Sequence, residues 1–130
     1  LSNQIHVLLV EDEPLVLLST QDTLEGGGYT VVTAGDGEEA MALLDARSEE
    51  LAGLVTDVRM GDGPSGWDVA RHARELKPNL PVVYATADSA QDWSAQGVPK
   101  SLVVQKPYAP AQLLTAISTL ITEAQTGSEF

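Results

Sequence analysis

The sequence holds 130 residues, 43% of them apolar and 20% charged, enough for one domain that buries roughly 70% of its unfolded surface. A formal charge of −12, from 19 acidic against 7 basic residues, excludes nucleic acid and anionic membrane as direct ligands and leaves a divalent cation or a basic protein surface. Cysteine is absent, which excludes disulfides and thiolate metal sites; aliphatic runs such as Leu15–Leu18 are far too short to cross a bilayer, and with no visible secretory signal a cytoplasmic location is expected.

Short β-rich runs alternate with helical patterns along the chain. His6–Val10 reads as a strand buried on both faces of a parallel sheet. Pro14 opens a helix through Leu24, at a position where its missing N–H costs nothing, and Gly26-Gly27-Gly28 stops it. Tyr29–Ala34 is a second strand. Asp36 and Glu39 have capping-box spacing and open a helix that buries Ala40, Leu43 and Leu44. Leu54–Asp57 is a third strand, followed by the turn cluster Gly61-Asp62-Gly63-Pro64. Ser65 and Asp68 repeat the capping pattern ahead of a helical stripe of Val69, Ala70, Ala73 and Leu76.

Pro81–Thr86 is a fourth strand, Ser89–Gln96 a short, weakly patterned helix, and Ser101–Gln105 a fifth strand. A last helix, Pro110–Ile121, places Leu113, Leu114, Ile117, Leu120 and Ile121 on one face. Five such βα units predict a parallel sheet with helices on both faces. One domain is expected over residues 5–122. The remainder, 123–130, is a tail whose final Gly127-Ser128-Glu129-Phe130 reads as a cloning-site scar.

Open sheets of this kind bind ligands beyond the carboxyl ends of their strands. Those ends carry Glu11-Asp12-Glu13, Asp57, Thr86 and Lys106-Pro107. Two like charges about 4 Å apart repel by roughly 4 kcal/mol at an effective dielectric of 20, so clustered carboxylates call for a cation. Oxygen ligands alone favour Mg²⁺, with Mn²⁺ or Ca²⁺ as alternatives, over Zn²⁺. A carboxylate also acts as a nucleophile toward phosphorus, and the equatorial oxygens in phosphoryl transfer need cationic and hydroxyl partners such as Lys106 and Thr86.

Taken singly, these residues have plainer explanations. Asp57 would be a strand-end cap, Glu11 and Asp12 acids favoured by a helix dipole, Thr86 a β-branched strand residue and Lys106 a surface lysine. His6 reads as a strand-start residue and His72 as an exposed helix residue. Trp67 and Trp93 read as packing or surface residues, Tyr84 as core, and Tyr108 as packing at the start of the last helix.

Together, Val10-Glu11-Asp12-Glu13-Pro14, Asp57-Val58-Arg59-Met60, Ala85-Thr86-Ala87 and Gln105-Lys106-Pro107-Tyr108 resemble the receiver domain of two-component response regulators, over residues 5 to 122. The resemblance implies a flavodoxin-like, doubly wound five-stranded sheet of order 2-1-3-4-5. It implies that Asp57 is the phosphoacceptor, and that Mg²⁺ (Mn²⁺ as an alternative) is held by Asp12, Asp57 and the backbone carbonyl of Arg59, with Glu11 acting through water. Thr86 and Lys106 would bind the phosphoryl group, and the Lys106-Pro107 bond would be cis. Implied partners are a histidine kinase or histidine phosphotransfer protein and a downstream protein target, with the chain a monomer or weak dimer. It would act as a phosphoacceptor and not as a turnover enzyme.

Three positions depart from the family pattern. Gly61 follows Met60 where proline is common, the loop to Gly66 is one residue longer, and Val103 stands where many receivers carry a switch aromatic. Other functions fit less well. An aspartyl phosphatase needs a second acid shortly after Asp57, where Arg59 sits. A nucleotide or flavin site needs glycines at the first βα turn, which is acidic here. A receiver-fold binding module that works without phosphorylation is the alternative, although no site residue is missing.

Overall fold

The computed structural model describes residues 4–126, and the scar-like 127–130 lie outside them. Five parallel strands, β1 (Ile5–Val10), β2 (Tyr29–Ala34), β3 (Leu51–Thr56), β4 (Val82–Thr86) and β5 (Ser101–Gln105), form one sheet of order β2-β1-β3-β4-β5. The helices are α1 (Pro14–Gly26), α2 (Gly37–Arg47), α3 (Gly66–Leu76), α4 (Trp93–Gln96) and α5 (Pro110–Gln125). Short 3-10 turns precede β3 (Ser48–Glu50) and α4 (Ala90–Asp92). The sheet is thus the flavodoxin-like arrangement that the receiver resemblance implies. No described helix is long and apolar enough to cross a membrane.

The unbroken apolar run of β1 follows from burial on both sides. Leu8 and Val10 face a core with Leu44 of α2 and Val69, Ala70 and Ala73 of α3. Val7 and Leu9 face a second core with Leu24 of α1 and Leu113, Ile117 and Ile121 of α5. Alternate residues of one strand point to opposite faces, so a central strand must be apolar throughout.

Several boundaries and burial assignments differ from the sequence reading. β3 starts at Leu51, three residues before the expected Leu54, a start hidden in the sequence by the low strand propensity of Ala52 and Gly53. A Cβ at Gly53 would press on Ile117 Cδ1 at 3.0 Å, so close packing of α5 selects glycine there. α1 runs on to Gly26 and the turn comes at Gly28, whose φ is +100°. α5 continues to Gln125, past the Ile121 at which the apolar pattern ends, through the exposed residues 122–125 that this pattern cannot register. Leu76 lies 41% exposed at the end of α3, and Leu43 and Leu114 are half-buried.

Asp36 caps α2 by accepting from Glu39 N–H at 2.8 Å, but Glu39 reaches Gly35 N–H instead of closing the box at Asp36. Ser65 and Asp68 do form the reciprocal box. His72 is half-buried and not exposed, since its Nε2 lies 2.6 Å from Asp45 Oδ1 across the α2–α3 contact. The 87–96 segment holds a 3-10 turn and a single helical turn, shorter than the helix expected from Ser89.

Candidate functional site

Three strands deliver their polar residues at one edge by extending the ladder one step further. Asp57 N–H donates to Val10 O at 3.0 Å, Glu11 N–H to Ala34 O at 3.1 Å and Lys106 N–H to Thr86 O at 2.8 Å. Backbone pairing thus fixes where Glu11, Asp57, Thr86 and Lys106 emerge before any side chain contributes. The start of α3 crowds this edge. Gly66 N–H donates to Val58 O at 2.8 Å, and a Cβ at Gly66 would run into the Asp57 carbonyl. Only glycine allows that approach.

Glu11, Asp12 and Asp57 each bring one carboxylate oxygen within 4.8 Å of the others. Glu11 is buried, Asp57 half-buried and Asp12 exposed. Lys106 Nζ donates to Glu11 Oε1 at 2.7 Å and lies 3.5 Å from Asp57 Oδ2. The second Glu11 oxygen accepts from Glu13 N–H at 3.2 Å, and Asp57 Oδ1 accepts from Val58 N–H at 2.8 Å. The Lys106-Pro107 peptide is cis, and just beyond it Tyr108 Oη lies 3.1 Å from Thr20 Oγ1, tying this loop to α1.

Burial and the neighbouring Glu11 charge push the Asp57 carboxyl up to about 6, against the opposing pull of Lys106 and the Val58 amide. Burial works against the Lys106 ammonium, but its hydrogen bond to Glu11 and the charges of Asp57 and Glu11 outweigh it and raise the pKa. One half-buried ammonium therefore serves two carboxylates, with Asp12 beside them as a third negative group. Such an excess of charge suits a hard divalent cation. The compact three-carboxylate cluster fits the donor set of Mg²⁺.

Thr86 is buried, and its Oγ1 accepts from Ser89 N–H at 3.1 Å, with Asp88 N–H at 3.4 Å. Arg59 follows two residues after Asp57, its Nε 3.6 Å from Asp88 Oδ2, with both side chains well exposed. The sequence reading gave Asp88 and Ser89 no part in the site. The available signal was a Thr followed three residues later by Ser at a strand end, a spacing at which a hydroxyl can cap a turn. Every sequence-expected site residue lies at this edge: the three carboxylates and Lys106 form one cluster, whereas Thr86 is engaged with its own loop and Arg59 with Asp88.

The chain has relatives of the same build. The response regulator SaeR of Staphylococcus aureus is 29% identical over 119 residues, covering 90% of this chain and 50% of SaeR. The chain thus spans about half the length of that relative. A response regulator receiver protein from Sinorhizobium medicae has a TM-score of 0.89 at 39% identity, covering 92% of this chain and 96% of the other. The receiver domain of the sensor histidine kinase PA1611 from Pseudomonas aeruginosa, solved with magnesium in its active-site cleft, shares the fold. Its TM-score is 0.79 at 22% identity, over 92% of this chain and 98% of that one. The family model of the response regulator receiver domain matches residues 7–118, and with that the chain belongs to the receiver domains of two-component signalling.

Proposed function

We propose that Asp57 accepts a phosphoryl group from the phosphohistidine of a histidine kinase or phosphotransfer protein, in a Mg²⁺-dependent reaction. The observation that carries this reading is the placement of one ammonium, Lys106 Nζ, between Glu11 and Asp57 in a three-carboxylate cluster. An Asp57 oxygen attacks phosphorus, the N–P bond of the donor breaks as the O–P bond forms, and the donor imidazole leaves. The carboxylate is already anionic when it attacks, so no proton has to be removed from it.

Asp12, Asp57 and the Arg59 carbonyl would hold the metal. Glu11 would act through water, consistent with both its oxygens already accepting from Lys106 and Glu13. Bound there, Mg²⁺ neutralises charge on the phosphoryl oxygens. Lys106 pairs with one phosphoryl oxygen and the Thr86 hydroxyl donates to another. Phosphorylation from a donor and loss of the phosphoryl group to water are the chain's only chemistry in this reading, and its output is contact with another protein.

The donor would dock beside the site. Leu15 and Leu18 are 82% and 58% exposed on α1, which starts two residues after Asp12. Large apolar side chains left so exposed and set among acids suit a helix that carries apolar and basic residues around its histidine. Phosphotransfer from a purified kinase, followed by mass spectrometry of the receiver, tests the reading. A single added group lost in Asp57→Asn supports it. A folded receiver that is never labelled would instead be a binding module.

A further inference from the structure

The route out of the site runs through hydrogen bonds that end on an indole. Thr86 Oγ1 commits its acceptor capacity to the N–H groups of Ser89 and Asp88, while its own hydrogen remains able to donate. Movement of this hydroxyl toward Asp57 stretches both bonds unless the loop follows. Ser89 is buried, and its carbonyl accepts from Asp92 N–H at 3.0 Å, forming the turn that leads directly into Trp93. The half-buried Trp93 donates Nε1–H to Ser101 Oγ at 2.9 Å, and Ser101 Oγ donates to Val98 O at 2.6 Å. Gly97 lies against the ring so closely that a Cβ there would collide with it. Trp93 packs against the same core as Val103, a position with no ring of its own.

We propose that Trp93 is the side chain that reports the state of Asp57. A phosphoryl group on Asp57 draws the Thr86 hydroxyl, the 87–92 loop follows, and the Trp93–Ser101 hydrogen bond opens. The inference rests on the reading of Asp57 as phosphoacceptor and assigns how that site is read out. The element involved is weakly anchored. No residue from Ala90 to Gln96 is buried, and α4 has no side-chain cap. Besides the Trp93 ring and its N–H to Ala90 O, it is tied by Gly97 N–H to Trp93 O at 2.8 Å and by exposed bonds from Arg71 to Gln96. Few buried contacts mean low local stability, and phosphorylation then has only to favour one of two arrangements.

The indole N–H signals in NMR read this directly, because the chain has 2 tryptophans and Trp93→Phe identifies which signal is which. With Mg²⁺ and beryllofluoride as phosphoryl mimic, the Trp93 signal should shift and exchange with water about tenfold faster, as expected of a locally opened hydrogen bond. Trp67, packed against Tyr84 and outside this hydrogen-bonded route, should keep its exchange rate unchanged. Ser101→Ala, without beryllofluoride, should show the same fast exchange at Trp93. The Val58 amide, bonded to Asp57 Oδ1, reports loading of the site. A shifted Val58 with an unmoved Trp93 overturns the inference and leaves the phosphoacceptor reading standing. An unmoved Val58 overturns that reading, and the inference falls with it. Retained slow exchange in folded Ser101→Ala overturns the latch whatever beryllofluoride does.

Discussion

Lys106 and Glu11 form an ion pair of 2.7 Å in which the carboxylate is buried and the ammonium only slightly exposed. Removing one partner of a buried pair strands the other charge, at a cost of about 3 kcal/mol. Lys106→Ala should therefore lower the urea midpoint at neutral pH without metal, and Mg²⁺ should restore part of the loss. Equal midpoints for variant and wild type in EDTA would mean that the pair is solvated and adds little.

Asp57 gives the metal-free protein a pH dependence of unusual sign. Its carboxyl is pushed up to about 6 by burial and by Glu11, above the ordinary unfolded value of about 4. The folded state therefore binds the proton more tightly. The associated stability is fully present below the unfolded pKa and is lost as pH rises through the folded one, from about 4 to 6. Asp57→Asn should be more stable than wild type in EDTA at pH 7.5, by about 1 kcal/mol after solvent screening. The gap should close below pH 4 and shrink with Mg²⁺. Chemical denaturation at several pH values measures it.

Docking at α1 separates two kinds of donor. Leu15→Glu with Leu18→Glu should reduce transfer from a protein phosphohistidine at least about tenfold, as loss of an apolar contact worth about 1.4 kcal/mol or more would. Labelling by acetyl phosphate, which needs no docking surface, should not change. Parallel loss with both donors would place the damage in the site itself.

Arg59 and Asp88 meet at 3.6 Å between well-exposed side chains, so the pair contributes little to stability. Arg59→Ala should leave the melting free energy within about 0.5 kcal/mol. It should also speed loss of the phosphoryl group, the outcome expected if the Arg59 side chain, two residues after the acceptor, shields the acyl phosphate from water. Timed mass spectrometry after removal of the donor checks both the direction and its independence from stability.

The strand ends were legible in the sequence because a parallel sheet sends every strand's last residues to one edge. Four polar motifs after four apolar runs therefore had to converge. The start of β3 was not legible, because Ala52 carries little strand propensity and Gly53 is set by the packing of Ile117. Nor was the half-burial of His72, which depends on Asp45 coming from a different helix. The role of Ser89 and Asp88 toward Thr86 was hidden for a related reason. Their backbone amides do the work, and an amide has no signature in a sequence. Leu15 and Leu18 read as helix-forming apolar residues, and only the structure shows that they face away from the core.

The central claim is that Asp57 is the acceptor. Its most direct test is the intact mass of the protein after incubation with acetyl phosphate and Mg²⁺, measured for wild type, for Asp57→Asn and for wild type in EDTA. Wild type should gain one phosphoryl group, with the modified peptide containing Asp57, and the other two samples should gain none. A labelled Asp57→Asn protein, or equal labelling in EDTA, would contradict the account.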